Sequence, residues 1–426
     1  MKVNKYGVLL AALAVAVTGC RGGEPEGDGE VSAPGVTSDP CPEAVNEDNG
    51  CIYLGTISDL TQGPFAALGV PITDSQEAFW NRVNEDGGIG GYDINTTEFV
   101  KDNLYNPETH KQVYGEISGD VLALAQTLGS PTTLAIVPDM ERDEMVGAPA
   151  SWTSLWAFED AILESGASYC VEGMNAVDYM VENEDIGSVL AIGFPGDYGG
   201  DGAAGAEIAA EANDLDFTNV ETAPGQEAQA GAVSAVVRQQ PDLVLLGTGP
   251  TETAVIVGEA AAQGYQGRFI GFGPTWNPAL LDSPAADALQ SLYWQSGYWG
   301  PYGTDTPGHQ AMRDALGDID ATDGHTAGWA WSYPLKAALE EWLEGDYDKS
   351  RAGLLEAVQS LETIDYEGML PEEAGNRAGE PNETIFRQSL ISEVDPEAPT
   401  GVTIMQDFFV GPTAESYEFD GACFEG

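Results

Sequence analysis

Val121-Leu122-Ala123-Leu124-Ala125-Gln126-Thr127-Leu128 runs directly into Gly129-Ser130-Pro131-Thr132-Thr133. The first eight residues form an apolar run of strand length. Behind them stand a serine able to cap, a proline suited to the first helical position and two hydroxyl residues, the pattern of a helix start. Free backbone N–H groups and the positive end of the helix dipole gather at such a turn. It can therefore hold a carboxylate or another polar group without any catalytic side chain. The stretch points to capture rather than reaction, with Ser130, Thr132 and Thr133 as candidate ligand-binding residues.

On either side the chain alternates strand and helix. Upstream, Ile52 to Ser58 reads as a strand, Asp59 to Pro64 as a loop, and a helix runs to about Glu85, closed by Gly87-Gly88-Ile89-Gly90-Gly91. Tyr92 to Val100 is a second strand and Thr109 to Ile117 a helix. Downstream, Pro138 interrupts the helix that follows Thr133 and should leave it short or kinked. Met145 to Ala148 reads as a strand, and Leu155 to Phe158 as a short extended piece. The alternation then restarts, with helices at Val171 to Val181, Gly202 to Asn213, Ala228 to Gln239 and Glu252 to Gln263. Strands fall between them at Val189 to Gly193, Phe217 to Glu221, Leu243 to Gly247 and Phe269 to Phe272. A strand at Ser291 to Tyr298, helices at about Thr326 to Glu344 and Ser350 to Leu361, and strands near Ile385 to Glu393 and Thr403 to Val410 complete the chain. Two such runs predict an α/β protein of two Rossmann-like lobes with parallel sheets.

In open α/β sheets ligands sit beyond the carboxyl ends of the strands. If two lobes face one another, their strand-end loops line one cleft. This adds Gln62, Phe65, Ser151 and Trp152 from the first lobe, and Tyr198, Thr248, Thr275 and Trp276 from the second. Trp294, Tyr298, Trp299 and Tyr302 read as packing between lobes.

Lys2 and Lys5 precede an apolar run, Gly7 to Val17, too short to span a bilayer comfortably, as in a signal peptide over residues 1–19. Val17-Thr18-Gly19-Cys20 resembles a bacterial lipobox, which makes Cys20 the expected lipidation site and places the protein outside the cytoplasm, anchored to the cell membrane. Residues 20–50, rich in Gly, Glu and Pro up to Pro40, read as a lipidated disordered tether. The roughly 380 residues beyond exceed what one core usually serves and fit two lobes.

The chain carries 15 basic against 70 acidic side chains, a formal charge of −55. Phosphates would be repelled, so nucleic acid is excluded as a partner. Asp318-Ile319-Asp320-Ala321-Thr322-Asp323-Gly324 approaches a calcium loop, but its glycine falls one place late. His110, His309 and His325 stand alone, and no metal or cofactor site is expected. With Cys20 set aside, Cys41, Cys51, Cys170 and Cys423 allow two disulfides in three pairings. Cys41 with Cys51 would close a small loop, and Cys170 with Cys423 would tie down the C-terminus. There is no Gly-x-Ser-x-Gly nucleophile elbow and no metal-ligand cluster, which argues against a hydrolase.

The order of pieces resembles the leucine/isoleucine/valine-binding family of ABC-transporter substrate-binding proteins. The resemblance rests on Gln62-Gly63-Pro64, on Val83 to Gly91, on Gly196-Asp197-Tyr198-Gly199 before a helix, on Gln240-Pro241-Asp242-Leu243-Val244, and on Gln263-Gly264-Tyr265. It implies a type I periplasmic-binding fold, two lobes joined by a hinge of three crossing segments. The lobes would be 51–160 with 299–366, and 161–298 with 367–426. It also implies a non-enzymatic, monomeric protein that closes on a small polar or amphipathic solute, an amino acid, amide or related carboxylate, and delivers it to a membrane permease. In the family, hydroxyl residues and backbone amides after the third strand hold the ligand carboxylate, a role that falls on Ser130, Thr132 and Thr133. Amino-acid binders carry an acid after the strand that ends here at Phe272, whereas this chain reads Gly273-Pro274-Thr275-Trp276. An ammonium would then need Asp197, Asp201 or Glu252 to reach in, since an unpaired buried charge costs several kcal/mol. The alternative use of the same body is as the ligand-sensing domain of a signalling partner.

Overall fold

The computed structural model describes residues 33–196 and 198–424, so Cys20 and Asp197 lie outside the described residues. The first sheet holds β1 (Val36–Thr37), β2 (Gly50–Ser58), β3 (Tyr92–Asp102), β4 (Ala123–Leu128) and β5 (Gly147–Ala150). β3 and β4 flank β2 in parallel, β5 lies parallel to β4, and β1 runs antiparallel along the start of β2. Parallel neighbours need crossovers, here the helices Ala66–Glu85, Pro107–Ile117 and the short pair Ser130–Leu134 and Val137–Asp143. Every residue of β4 is buried. Its sequence is accordingly a continuous run without alternation, as in a strand covered on both faces.

The second sheet holds β6 (Ser188–Gly193), β7 (Asp216–Glu221), β8 (Leu243–Gly247), β9 (Arg268–Gly271), β10 (Tyr293–Gly297), β11 (Ser389–Val394) and β12 (Val402–Phe409). Its order is β7-β6-β8-β9-β10-β11-β12, parallel as far as β10 and antiparallel for the last two strands. The helices Tyr169–Asn183 and Tyr198–Ala212 pack closely on this sheet because glycines stand at their crossing. A Cβ added to Gly205 would lie 1.9 Å from the Cys170 carbonyl oxygen, and one at Gly173 would lie 2.4 Å from that of Gly202.

Three expectations need correction. The disordered tether expected over residues 20–50 does not hold from Ala33 onward: Ala33 is buried, Val36 pairs with Ile52, and Cys41 is bonded to Cys51. Leu155 to Phe158 is no extended piece but part of a 3-10 turn, Ser154–Phe158, which drives Trp156 into the first lobe's core. The single helix expected from Thr326 to Glu344 is two, Asp323–Ala330 and Ser332–Glu344. Pro334 explains the break, since its ring collides with the carbonyl four residues back, that of Ala330.

The second disulfide joins Cys170 to Cys423, resolving the three possible pairings. It fastens the chain's last described residues to the second lobe. Among the described residues no helix is long and apolar enough to cross a membrane.

Candidate ligand-binding site

Between the lobes, where the carboxyl ends of both sheets converge, lies a cavity of about 70 Å³. The loops after β2, β3, β4 and β5 supply Phe65, Tyr105, Gly129, Ser151 and Trp152, the second lobe brings Tyr169, Tyr198 and Trp276, and Trp299 comes from the segment that follows β10. The rings brace one another. Phe65 meets Tyr105 at 4.8 Å and Tyr198 at 5.9 Å between centroids, Trp152 meets Trp299 at 4.9 Å, and Tyr169 meets Tyr198 at 4.8 Å. Phe65 belongs to the first lobe and Tyr198 to the second, so these contacts close the cleft. Asn277 Nδ2 also donates to the Ala67 carbonyl across it, at 3.5 Å.

Of the residues singled out in the sequence, Phe65, Ser151, Trp152, Tyr198 and Trp276 border this cavity. Ser130, Thr132, Thr133, Thr248, Thr275 and Gln62 do not. Gln62 is exposed. Thr132 donates to the carbonyls of Leu128 and Gly129. Thr133 is bonded to the hydroxyl of Thr127 at 2.9 Å, which is bonded in turn to Nε2 of His110 at 3.0 Å. Thr248 pairs with Thr253, and Thr275 with Phe272 O and the Tyr293 hydroxyl. Ser130 Oγ is buried without a partner among the described residues. The helix behind it has only five residues. Within the stretch that identifies the fold, only Leu128 and Gly129 border the cavity. Gly129 has φ +96°, and a Cβ there would meet the Tyr105 ring at 2.6 Å.

No Lys, Arg or His lines the cavity among the described residues; its one titratable carboxylate is Asp323, at the start of the helix Asp323–Ala330. Oδ1 of Asp323 accepts from the Tyr302 amide at 2.9 Å and from the Thr400 hydroxyl at 2.7 Å. Burial raises its pKa to about 6 against the pull of these two donors. Two further carboxyls stand behind the wall. Burial raises Glu172 to about 8, opposed by the Ser296 hydroxyl and reinforced by the charge of Asp201. Burial likewise raises Asp201 to about 6, opposed by bonds from Ser154 and Cys170. Neither Asp201 nor Glu252 reaches the cavity, and Glu252 accepts instead from the Gly225 amide at 2.7 Å.

Sequence reasoning missed Tyr105, Tyr169, Trp299 and Asp323. Tyr105 lies in the loop after β3, a strand-end loop like those that carry Phe65 and Ser151. Its left-handed backbone, φ 51°, turns the chain over the cavity.

Residues 52–395 match the family model described as periplasmic binding protein. A solved fatty acid ABC transporter substrate-binding protein from Thermomonospora curvata is 27% identical, with a TM-score of 0.81 over 91% of this chain and 96% of that one. A branched chain amino acid ABC transporter protein from Thermus thermophilus with bound valine is 16% identical, with a TM-score of 0.75 over 86% and 98%. An R. palustris ABC transporter solute binding protein in complex with 4-hydroxybenzoate is 14% identical, with a TM-score of 0.70 over 85% and 97%. No curated protein matches the sequence. With the family model spanning most of the chain and two α/β lobes facing one cleft, the chain belongs to the periplasmic binding protein family and has its type I fold.

Proposed function

We propose that this protein is the solute-binding component of an ABC importer and holds a small amphipathic solute, its apolar body between the aromatic side chains of the two lobes. The observation that carries this reading is the wall itself: aromatic rings from both lobes, and no cationic side chain among the described lining residues. Burying apolar surface is worth about 25 cal/mol per Å². A solute bridging both walls gains that energy only when the lobes close, so binding and closure are coupled. The relatives support an apolar body for the solute, one being named for fatty acid and another holding 4-hydroxybenzoate. Phe65, Ser151, Trp152, Tyr198 and Trp276 are the contact residues of this reading. Cys20 carries the lipid that keeps the protein beside its permease, outside the cytoplasm, and no step of the role calls for catalysis.

The test is a calorimetric and tryptophan-fluorescence screen of the purified protein against amphipathic and strongly polar solutes. Aromatic or alkyl solutes should bind, and Trp152→Ala should weaken them by roughly tenfold or more. Binding confined to polar solutes such as urea, or no binding by any class, would refute the reading.

A further inference from the structure

Among the described residues Asp323 is the one charged side chain lining the cavity, and its two oxygens differ. Oδ1 is held by the Tyr302 amide and the Thr400 hydroxyl. Oδ2 accepts nothing from any described residue, and the residue is partly accessible and lines the cavity. The backbone around it fixes the carboxylate in place: Thr322 and His325 cap the helix start reciprocally, and Thr400, fully buried, comes from the turn between β11 and β12. The hydroxyl of Ser392, on β11, also borders the cavity, buried and without a partner among the described residues, and can accept a second hydrogen bond. An acceptor held in place by two donors, with its other oxygen free and no lysine or arginine in reach, is complementary to a donor that arrives with the ligand.

We propose that the cavity selects a solute with a cationic head, an amphipathic amine whose ammonium group donates to Asp323 Oδ2 while its apolar body lies against the aromatic wall. This rests on the solute-binding reading and names its solute class. Three features of the chain favour a cation over an anion there. The carboxylate supplies the opposite charge. Aromatic faces attract a cation by their quadrupole. The formal charge of −55 creates a field that draws cations toward the cleft and slows the approach of anions. A fatty acid or benzoate would instead place its carboxylate beside Asp323, with no cationic side chain among the described lining residues. The acid missing after β9 is thus supplied from a different element, the first turn of a first-lobe helix.

The experiment uses the intact folded protein near pH 8 and three probes of one shape: 2-phenylethylamine, 2-phenylethanol and 3-phenylpropanoate. Calorimetry should rank the amine first, roughly tenfold or more ahead of the alcohol, and the carboxylate last. Asp323→Asn should remove the amine's advantage over the alcohol. Thr400→Val, which deletes a donor to Oδ1 and leaves Oδ2 in place, should keep the ranking, so a loss common to all three probes is separated from loss of charge pairing. A wild-type protein that prefers the carboxylate or the alcohol, or an Asp323→Asn variant that loses all three probes equally while Thr400→Val does the same, overturns the assignment and leaves the solute-binding reading standing. No binding of these probes or of any apolar solute in the wider screen removes both.

Discussion

Glu172→Gln should flatten the protein's stability against pH, and the size of the effect follows from where the side chain lies. Glu172 is fully buried on the helix Tyr169–Asn183, accepts from Ser296 Oγ at 3.0 Å and feels the charge of Asp201. Tyr169, Tyr293 and Tyr298 also face it. Burial raises its pKa from 4.5 to about 8. In the folded protein the proton is held to higher pH than in the unfolded chain. The resulting stability is complete below pH 4.5 and is lost as pH rises through about 8. At 1.36 kcal/mol per unit, integrating the two titrations gives a loss of about 4 kcal/mol between pH 5 and pH 9. Glutamine keeps the shape and the bond from Ser296 but has no proton to lose. Its extra N–H donors cost about 1 kcal/mol at pH 5 if they find no acceptor. Urea unfolding of both proteins at pH 5, 7 and 9 measures this. The difference between them cancels the general repulsion of an acidic chain, which both share. The variant should be about 3 kcal/mol the more stable at pH 9, the integrated loss less the cost of its donors. Parallel stability curves for the two proteins would refute the buried-acid account.

Gly205→Ala places a methyl 1.9 Å from the Cys170 carbonyl oxygen and should force the helices Tyr169–Asn183 and Tyr198–Ala212 apart. Thermal melting should show a loss of roughly 1–3 kcal/mol or more. Replacing Cys170 and Cys423 together by serine opens a link across 253 residues and should lower stability by roughly 2–5 kcal/mol in denaturant titration. Arg351→Met removes donors to the carbonyls of Ser118, Val121 and Asp143. Leaving those acceptors unpaired should cost roughly 2–3 kcal/mol, read as a shifted urea midpoint at unchanged slope.

The two-lobe architecture was legible because the crossovers impose it. The apolar run Leu243–Gly247 bounds its strand as observed, whereas the helix expected short or kinked at Pro138 is two helices, Ser130–Leu134 and Val137–Asp143, with the proline in the first turn of the second. The aromatic part of the cavity was legible too, since a large ring in a strand-end loop has few places to go except the cleft. The hydroxyls were not. A threonine after a strand can bond a ligand or its own backbone, and composition does not distinguish the two. Thr132, Thr133, Thr248 and Thr275 all turn inward. Asp323 escaped notice for another reason. It sits in a run that resembles a failed calcium loop, far along the chain from every strand end, and only the packing of its helix against the helix Ala66–Glu85 carries it to the cavity.

Asp201 is bonded to both lobes. Its carboxylate accepts from the amide and hydroxyl of Ser154, whose turn packs on the first lobe, and from the Cys170 amide in the second, while Cys423 N donates to the same Ser154 hydroxyl at 2.8 Å. Four hydrogen bonds thus tie the Ser154 turn, the start of the helix Tyr169–Asn183 and the chain's C-terminal end into one knot, and none of the four residues that make them lines the cavity, so at this corner the two lobes are joined behind the aromatic wall rather than through it.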